Sequence, residues 1–214
     1  MKCLFIDTSY SLLSLALVED DKVIAETSYD SMNEHSKYTM MGIDKIFKES
    51  SMEPHEVDKI MVVNGPGSFT GIRIGVTIAK VYAWALNKKV IPISTLKAYA
   101  LSNSGYDYYI SVLDARRDHV YAGIYSDTYS NIIEEQYISI NKLKEIIKQL
   151  SGSLVIVGDV TIDEKEKTIP IKLDILKIIK YYADTTEINV HQLNPNYLKM
   201  VEAEEKLRDM SKQN

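Results

Sequence analysis

The same order of secondary structure is predicted twice along the chain, and this repeat limits the possible folds more than any other feature. Alternating apolar residues and turn residues predict strands at 2–6, 12–18, 23–28 and 59–63 in the first half, with helices at 36–50 and 70–86. A strand at 90–93 and a short helix at 95–101 follow. The second half has predicted strands at 108–113, 120–125, 132–138 and 154–157, and helices at 141–150 and 173–183.

Two successive β-β-β-α-β-α blocks predict an α/β protein of two lobes that arose by duplication of a mixed-sheet domain. Asn103, Ser104 and Gly105 form the turn-like segment between the blocks, so we expect lobes at 1–103 and 104–214. This order of elements is that of the actin-like superfold (ASKHA, ribonuclease H-like), in which sugar kinases and heat-shock ATPases bind a nucleotide between their lobes. A shared fold does not by itself assign a function.

The composition limits the kinds of ligand and partner. The chain has 214 residues and a net charge of −5, whereas a protein that binds nucleic acid by itself usually carries a basic surplus. Cys3 is the only cysteine, which excludes an intrachain disulfide and a multi-cysteine metal site. Since no two of the four histidines are spaced four residues apart, we predict no helix-borne metal site, and we expect no cofactor.

Neither the N-terminus nor any later segment predicts export or membrane insertion. No apolar run approaches the roughly 20 residues of a membrane-spanning helix, and residues 1–8 lack the basic and long apolar regions of a signal peptide. We therefore expect a cytoplasmic protein that makes no membrane contact.

A glycine-rich loop, residues 65–75, joins the predicted strand 59–63 to the long apolar helix. Such loops often bind anions, because unpaired backbone N–H groups point outward where a helix begins. A P-loop, however, needs Lys and Ser or Thr after its second glycine, and Ile72 and Arg73 follow Gly71 here. The dinucleotide fingerprint needs glycine where Thr70 stands. The loop is therefore not a standard phosphate-binding loop.

The turns after the first strand of each half also differ from those of nucleotide-binding relatives, which use glycine so that the backbone approaches the phosphates. The first turn places Thr8, Ser9 and Tyr10 after Asp7, and the second runs from Asp114 to Asp118 through two arginines. We expect no ATP hydrolysis.

Two alternative functions remain. One is a small-molecule kinase or ATPase in which Asp7 and Asp114 hold magnesium. The other is a ribonuclease H-like nuclease, which needs a cluster of carboxylates, whereas the first strand carries only Asp7.

The helix at 70–86 has two apolar faces. Small residues recur every four positions from Gly71 to Ala83, and a second face carries larger residues, among them Ile74 and Ile78. A helix this apolar requires burial nearly all round. The small residues either contact a partner closely or pack inside the lobe on the sheet and the 36–50 helix. We favour the partner interface, because a lobe of about a hundred residues has limited means to cover such a helix.

Several segments together resemble the TsaB (YeaZ) family. They are Leu4-Phe5-Ile6-Asp7-Thr8-Ser9, the glycine loop 65–75, Ile91-Pro92-Ile93-Ser94-Thr95-Leu96, the turn 114–118 with Val120-Tyr121, and Pro195-Asn196-Tyr197-Leu198. They span almost the whole chain, and the resemblance is weakest at 161–190.

The resemblance implies an actin-like protein of the bacterial machinery that installs N6-threonylcarbamoyl on the adenosine beside the tRNA anticodon. In that machinery TsaD is the catalytic subunit and TsaE an ATPase, while TsaB is the dimerisation and scaffold subunit. It therefore implies partners TsaD and TsaE, a homodimer when the chain is alone, contact with tRNA only through the complex, and no catalytic site of its own.

The resemblance also carries over to particular residues. TsaD has a His-x-x-x-His metal pair where this chain has Thr95 and Tyr99, and a hydroxyl and a phenol are poor substitutes for two imidazoles. In the family the first lobe pairs through its two long helices, which correspond to 36–50 and 70–86. The candidate interface residues are Met40, Met41, Gly71, Arg73, Gly75, Ala79 and Ala83.

Overall fold

The computed structural model describes residues 1–30, 35–162 and 166–199. The strands in these ranges are β1 Lys2–Asp7, β2 Leu12–Glu19, β3 Lys22–Asp30, β4 Lys59–Gly65, β5 Val90–Ser94, β6 Tyr108–Asp114, β7 His119–Ser126, β8 Asn131–Ser139, β9 Leu154–Gly158 and β10 Thr168–Ile169. The helices are α1 His35–Ser50, α2 Phe69–Ala85, α3 Thr95–Leu101, α4 Ile140–Ile147 and α5 Ile175–Tyr182.

The strands form two five-stranded mixed sheets of the same topology. The first has the order β3-β2-β1-β4-β5 and the second β8-β7-β6-β9-β10, so each strand of one sheet has a counterpart in the other. In both, the first three strands pair antiparallel, while the fourth and fifth are parallel to the first. The predicted duplication and the α/β fold class are confirmed.

Local sequence signals place the helix starts. The side chains of Ser68, Ser94, Ser139 and Asp174 precede α2, α3, α4 and α5, and each accepts a hydrogen bond from a backbone N–H three residues on. A side-chain oxygen at this position satisfies one of the N–H groups that a helix leaves unpaired. Each of these four helices therefore begins after a serine or aspartate side chain that caps it.

Helices cover both faces of the first sheet. On one face, apolar side chains of α1 and α2 pack against β1, β2 and β4, for example Ile43 and Val76 against Leu15 and Val62. On the other face, α3 and α5 pack against Phe5, Met61 and Ile91. The central strands of this sheet are consequently buried on both sides, which explains their nearly continuous apolar sequence.

The short helix α3 lies between the two sheets. Ala98 and Leu101 belong to the apolar cluster on the first sheet, whereas Leu96, Tyr99 and Ala100 pack with Tyr109 and other residues of the second sheet. Six of its seven residues are buried. A single helix of two turns thus supplies the core of the interface between the lobes.

The C-terminal part of the described chain returns to the first lobe. Ile175, Ile178 and Ile179 of α5 pack on the first sheet. Farther along, Ile188 exchanges backbone hydrogen bonds with Val90 beside β5, and Leu193 is fully buried in the first-lobe core. The expected second lobe, 104–214, therefore contains segments that pack on the first, and the division of the chain into two independent domains remains a prediction.

One local prediction in the second lobe was wrong. The charged sequence of 161–168 predicts a solvated loop, but Ile162 is buried and Thr168 begins β10, while residues 163–165 lie outside the described ranges. A strand of two residues has no alternation to reveal it; only its pairing with β9 defines it. In the first lobe, α2 connects the fourth and fifth strands. In the second lobe, the described residues between β9 and β10, 159–162 and 166–167, form no helix.

Within the described ranges, no helix combines the length and the apolar character that crossing a bilayer requires.

Leu96→Ala should destabilise the whole chain, because this fully buried side chain of α3 packs on the second sheet while its helix is held by the first. We expect a loss of about 2–5 kcal/mol in the free energy of unfolding, measured by chemical denaturation. Ile132→Ala, at a position that is 47% exposed, is the control and should change stability by less than about 0.5 kcal/mol. Equal stabilities would contradict the central role of α3.

Candidate functional site

The cleft between the lobes contains a cavity of about 300 Å³. Both turns identified from the sequence reach it, since Tyr10 and Asp114 are among its lining residues. The hydroxyl of Tyr10 donates a hydrogen bond of 2.7 Å to Asp159 Oδ2, which joins the two lobes across the cleft. Burial raises the pKa of Tyr10 to about 12, and the hydrogen bond acts in the same direction, so this phenol stays protonated at neutral pH.

Asp7 is the last residue of β1 and is buried. One of its carboxylate oxygens accepts a hydrogen bond of 2.8 Å from the backbone N–H of Ser9. Burial raises the pKa of the Asp7 carboxyl to about 6, and the Ser9 hydrogen bonds only partly oppose this effect. The side chain therefore closes the turn instead of projecting into solvent.

The second turn adopts an unusual backbone conformation. Three successive residues, Arg116, Arg117 and Asp118, have φ between 54° and 65°, a region that side chains disfavour. The Asp114 carboxylate stabilises the turn by accepting a hydrogen bond of 2.8 Å from the Arg116 N–H, and the Asp114 N–H donates to Asp159. Asp114 is exposed and Asp7 is buried, so the two aspartates are not equivalent.

Thr95 and Tyr99, which the sequence resemblance aligns with a metal pair, are both inside the protein. Thr95 begins α3 and is fully buried, and its hydroxyl has no hydrogen-bond partner among the described residues. Tyr99 is buried one turn later, where burial raises the pKa of its phenol well above the usual value. Across the ranges that the structure describes, no three His, Cys, Asp or Glu side chains are grouped so that they could hold a metal ion.

The glycine loop approaches the chain itself. A side chain on Gly67 would overlap the backbone oxygen of Ser9, and one on Gly71 would overlap that of Thr8. The Ser68 N–H donates a hydrogen bond of 2.8 Å to Ser9 O, while the hydroxyl of Thr8 donates one of 2.7 Å to Gly71 O. The glycines thus allow the start of α2 to contact the turn after β1.

This packing corrects part of the interface prediction. Gly71, Gly75, Ala79 and Ala83 are buried within the first lobe, and Gly75 lies directly against the hydroxyl of Thr8. The small-residue stripe therefore serves close packing inside the lobe, the alternative that the sequence left open, and offers no surface to a partner. The stripe was misassigned because periodicity shows that a face needs close neighbours but not which element supplies them.

The other three candidates are exposed. Met40 and Met41 lie on α1 with exposures of 48% and 52%, and Arg73 lies on α2. Met40 and Arg73 line the same groove between the two helices, a cavity of about 430 Å³ whose other lining residues include Phe69, Ile74 and Ile78. Whether these residues contact a partner remains a prediction.

The exposed apolar surface of α1 and α2 is larger than the sequence analysis indicated. We call it the outer face and define it by the exposed side chains Met40, Met41, Phe69, Val81 and Trp84. Trp84 is 72% exposed, and leaving so large an apolar side chain in water is energetically unfavourable. Sequence reasoning missed Phe69 and Trp84. The available signal was that neither residue lies on the small-residue side of α2.

Sequence reasoning also did not place Tyr197 next to this surface. Its ring stacks on Phe69 with 5.4 Å between ring centroids, and its hydroxyl accepts a hydrogen bond of 2.7 Å from Arg73 Nε. The guanidinium of Arg73 lies 3.7 Å from the centroid of the Phe69 ring. The three side chains therefore form one cluster at the beginning of α2, and the motif at 195–198 was the only available signal.

Comparisons with known proteins assign the family. The model of the family described as TsaD, tRNA N6-adenosine threonylcarbamoyltransferase, matches residues 22–176. The tRNA threonylcarbamoyladenosine biosynthesis protein TsaB of Bacillus subtilis is 33% identical over 96% of this chain and 97% of its own length. The chain belongs to the TsaB family. The resemblance seen in the sequence is confirmed.

Solved structures agree with the fold of a TsaB protein. YeaZ from Pseudomonas aeruginosa superposes with a TM-score of 0.78 at 20% identity, covering 92% of this chain and all of that one. The activator of the 2-hydroxyisocaproyl-CoA dehydratase from Clostridium difficile, solved with ADPNP, has a TM-score of 0.52 at 7% identity, covering 88% of this chain and all of that one. At these identities the likeness concerns the fold alone, and it confirms the predicted actin-like class.

Gly75→Ala should destabilise this chain even though alanine is the better helix former, because the added methyl group overlaps the Thr8 hydroxyl. We expect a loss of about 1–3 kcal/mol in the free energy of unfolding, measured by chemical denaturation. Thr8→Ala removes the overlapping hydroxyl, so the double variant should lose less than the sum of the single ones. Thr77→Ala, at an exposed position of α2, is the control; additive losses would show that Thr8 is not the obstacle.

Asp7→Asn should stabilise the chain at neutral pH. Because the folded-state pKa of Asp7 is raised from 3.8 to about 6, the folded chain binds more protons than the unfolded one in this window, and stability falls as the pH rises through it. Relative to wild type, we expect Asp7→Asn to gain about 1–3 kcal/mol near pH 7, and no gain below about pH 4.

The measurement for Asp7→Asn is chemical denaturation across this pH range. Asp127→Asn, at an exposed turn position, is the matched control and should give a pH-independent difference from wild type. A gain for Asp7→Asn that persists undiminished in acid would exclude ionisation of Asp7 as its cause.

Proposed function

We propose that this chain is the dimerisation and scaffold subunit of the complex that installs N6-threonylcarbamoyl on the adenosine beside the tRNA anticodon. The observation that carries the proposal is the similarity to TsaB of Bacillus subtilis, named for threonylcarbamoyladenosine biosynthesis, over nearly the full length of both chains. The outer face of α1 and α2 supplies the physical means, because several large apolar side chains exposed on two neighbouring helices indicate a protein–protein contact.

A TsaD protein is the partner that best fits the outer face. The TsaD family model matches most of this chain, so such a partner shares its fold and presents the same pair of helices. Two like folds that pair through the same surface form a pseudo-twofold interface, in which each apolar face covers the other. The aromatic and methionine side chains of the outer face are of the types enriched at the centres of such interfaces.

Several features support a subunit without catalysis of its own. The turn after β1 is closed by the buried Asp7 and by Tyr10, whose hydroxyl is bonded to Asp159. The glycine loop is packed on Thr8 and Ser9, which leaves its glycines no room for a phosphate. Thr95 and Tyr99 occupy the positions of a metal pair and are buried.

The remaining partners follow from the same proposal. TsaE joins through the complex, tRNA is contacted only within it, and the assembly works in the cytoplasm. In the absence of TsaD, a second copy of this chain covers the outer face and gives a homodimer, because leaving Trp84 and Phe69 in water is unfavourable. Dimer and heterodimer then compete for one surface.

Trp84→Ala tests this function. We expect it to weaken binding to the TsaD protein of the same organism by roughly tenfold or more, since tryptophan side chains buried at an interface often contribute strongly to affinity. Its own stability should change little, because the side chain is 72% exposed. The dissociation constant is measured by calorimetry, and complex formation by size exclusion with light scattering.

Ile132→Ala is the matched control, because it removes another exposed apolar side chain from β8 in the second lobe. It should bind TsaD as the wild type does. No complex of wild type with TsaD at micromolar concentrations would contradict the scaffold function, and wild-type affinity of Trp84→Ala would show that Trp84 lies outside the interface.

A further inference from the structure

The last described residues form an ordered strap across the first lobe and onto the second. We call residues 193–199 the C-terminal strap. Leu193 anchors it in the first-lobe core, and two hydrogen bonds tie it to β4: the Asn196 N–H donates to Asn64 O at 2.7 Å, and Asn64 Nδ2 donates to Asn194 O at 2.9 Å. The strap is therefore fixed immediately beside the glycine loop.

Beyond these bonds the strap reaches both lobes. Leu198 packs against the apolar cluster of the second sheet, and Lys199 Nζ lies 5.0 Å from the centroid of the Tyr137 ring on β8. Between the two anchors, Tyr197 faces the start of α2. The strap thus connects the second sheet with the end of the outer face.

At that end, Tyr197 restrains two side chains of the groove between α1 and α2. Phe69 and Arg73 both line the groove between α1 and α2, whereas Tyr197 is not among its lining residues. Stacking on Phe69 fixes the plane of that ring, and the hydrogen bond from Arg73 Nε fixes a long side chain that otherwise samples many rotamers. The guanidinium is then held flat against Phe69, with 3.7 Å between its carbon and the ring centroid.

We propose that Tyr197 is a positioning residue, through which the C-terminal strap holds Phe69 and Arg73 in the arrangement that binds the TsaD partner. The inference rests on the proposed function. Its physical basis is preorganisation: side chains already ordered in the free protein lose less conformational entropy when a partner binds. Tyr197 therefore raises affinity without itself filling the groove.

The test is a set of variants whose dissociation constants for the TsaD protein of the same organism are measured by calorimetry. Releasing one or two side chains should weaken binding by about three- to tenfold in Tyr197→Ala. Tyr197→Phe keeps the ring on Phe69 but loses the acceptor for Arg73, so its effect should be smaller. Tyr197→Phe also keeps the test valid if Tyr197→Ala proves unstable.

The decisive measurement is a mutant cycle. In the Phe69→Ala/Arg73→Ala background, Tyr197→Ala should have no further effect, because the side chains that it positions are absent. An undiminished effect in that background would overturn the proposal, since Tyr197 would then act by direct contact or through the fold. Wild-type affinity of both Tyr197 variants would also overturn it.

The two levels of inference fail differently. If Trp84→Ala weakens binding but Phe69→Ala and Arg73→Ala do not, the scaffold function stands and the positioning role is refuted. If all three bind TsaD as the wild type does, the outer face is not the interface, and both inferences fail. Ile132→Ala serves again as the control for an exposed apolar side chain.

Discussion

The helix α3 is buried between the two sheets and contributes side chains to the apolar clusters of both. One side of this helix completes the first-sheet core, and the other packs with Tyr109 and Tyr125 of the second sheet. Its Leu96 and Tyr99 leave no polar face toward either lobe. The helix therefore packs against both lobes and stabilises their arrangement.

A second close contact lies at the glycine loop. Thr8 and Ser9 fill the space that glycines leave open at the beginning of α2, with hydrogen bonds to Gly71 O and from Ser68 N. The same feature that in other α/β proteins admits a phosphate here admits the chain's own backbone. Burying the small-residue side of α2 in this way turns its opposite side, with Val81 and Trp84, toward solvent.

The outer face and the C-terminal strap are the parts of the fold that we propose to act in binding a partner. Val81 and Trp84 are exposed on the outer side of α2. Under the proposed scaffold function, a TsaD partner covers these side chains. The strap is anchored on β4 and on the second sheet. Through Tyr197, which stacks on Phe69, it also contacts the beginning of α2. Affinity for a partner would then depend on residues that lie outside the interface.

Local periodicity and continuous motifs were enough to predict the two β-β-β-α-β-α blocks, the apolar character of α2 and the family from the sequence. The contact of Gly75 with Thr8, the exposure of Trp84 and the contact of Tyr197 with Arg73 became visible only in the folded chain. Residues 67 or 124 positions apart along the chain meet only through the packing of the whole fold, and local periodicity contains no information about such distant partners.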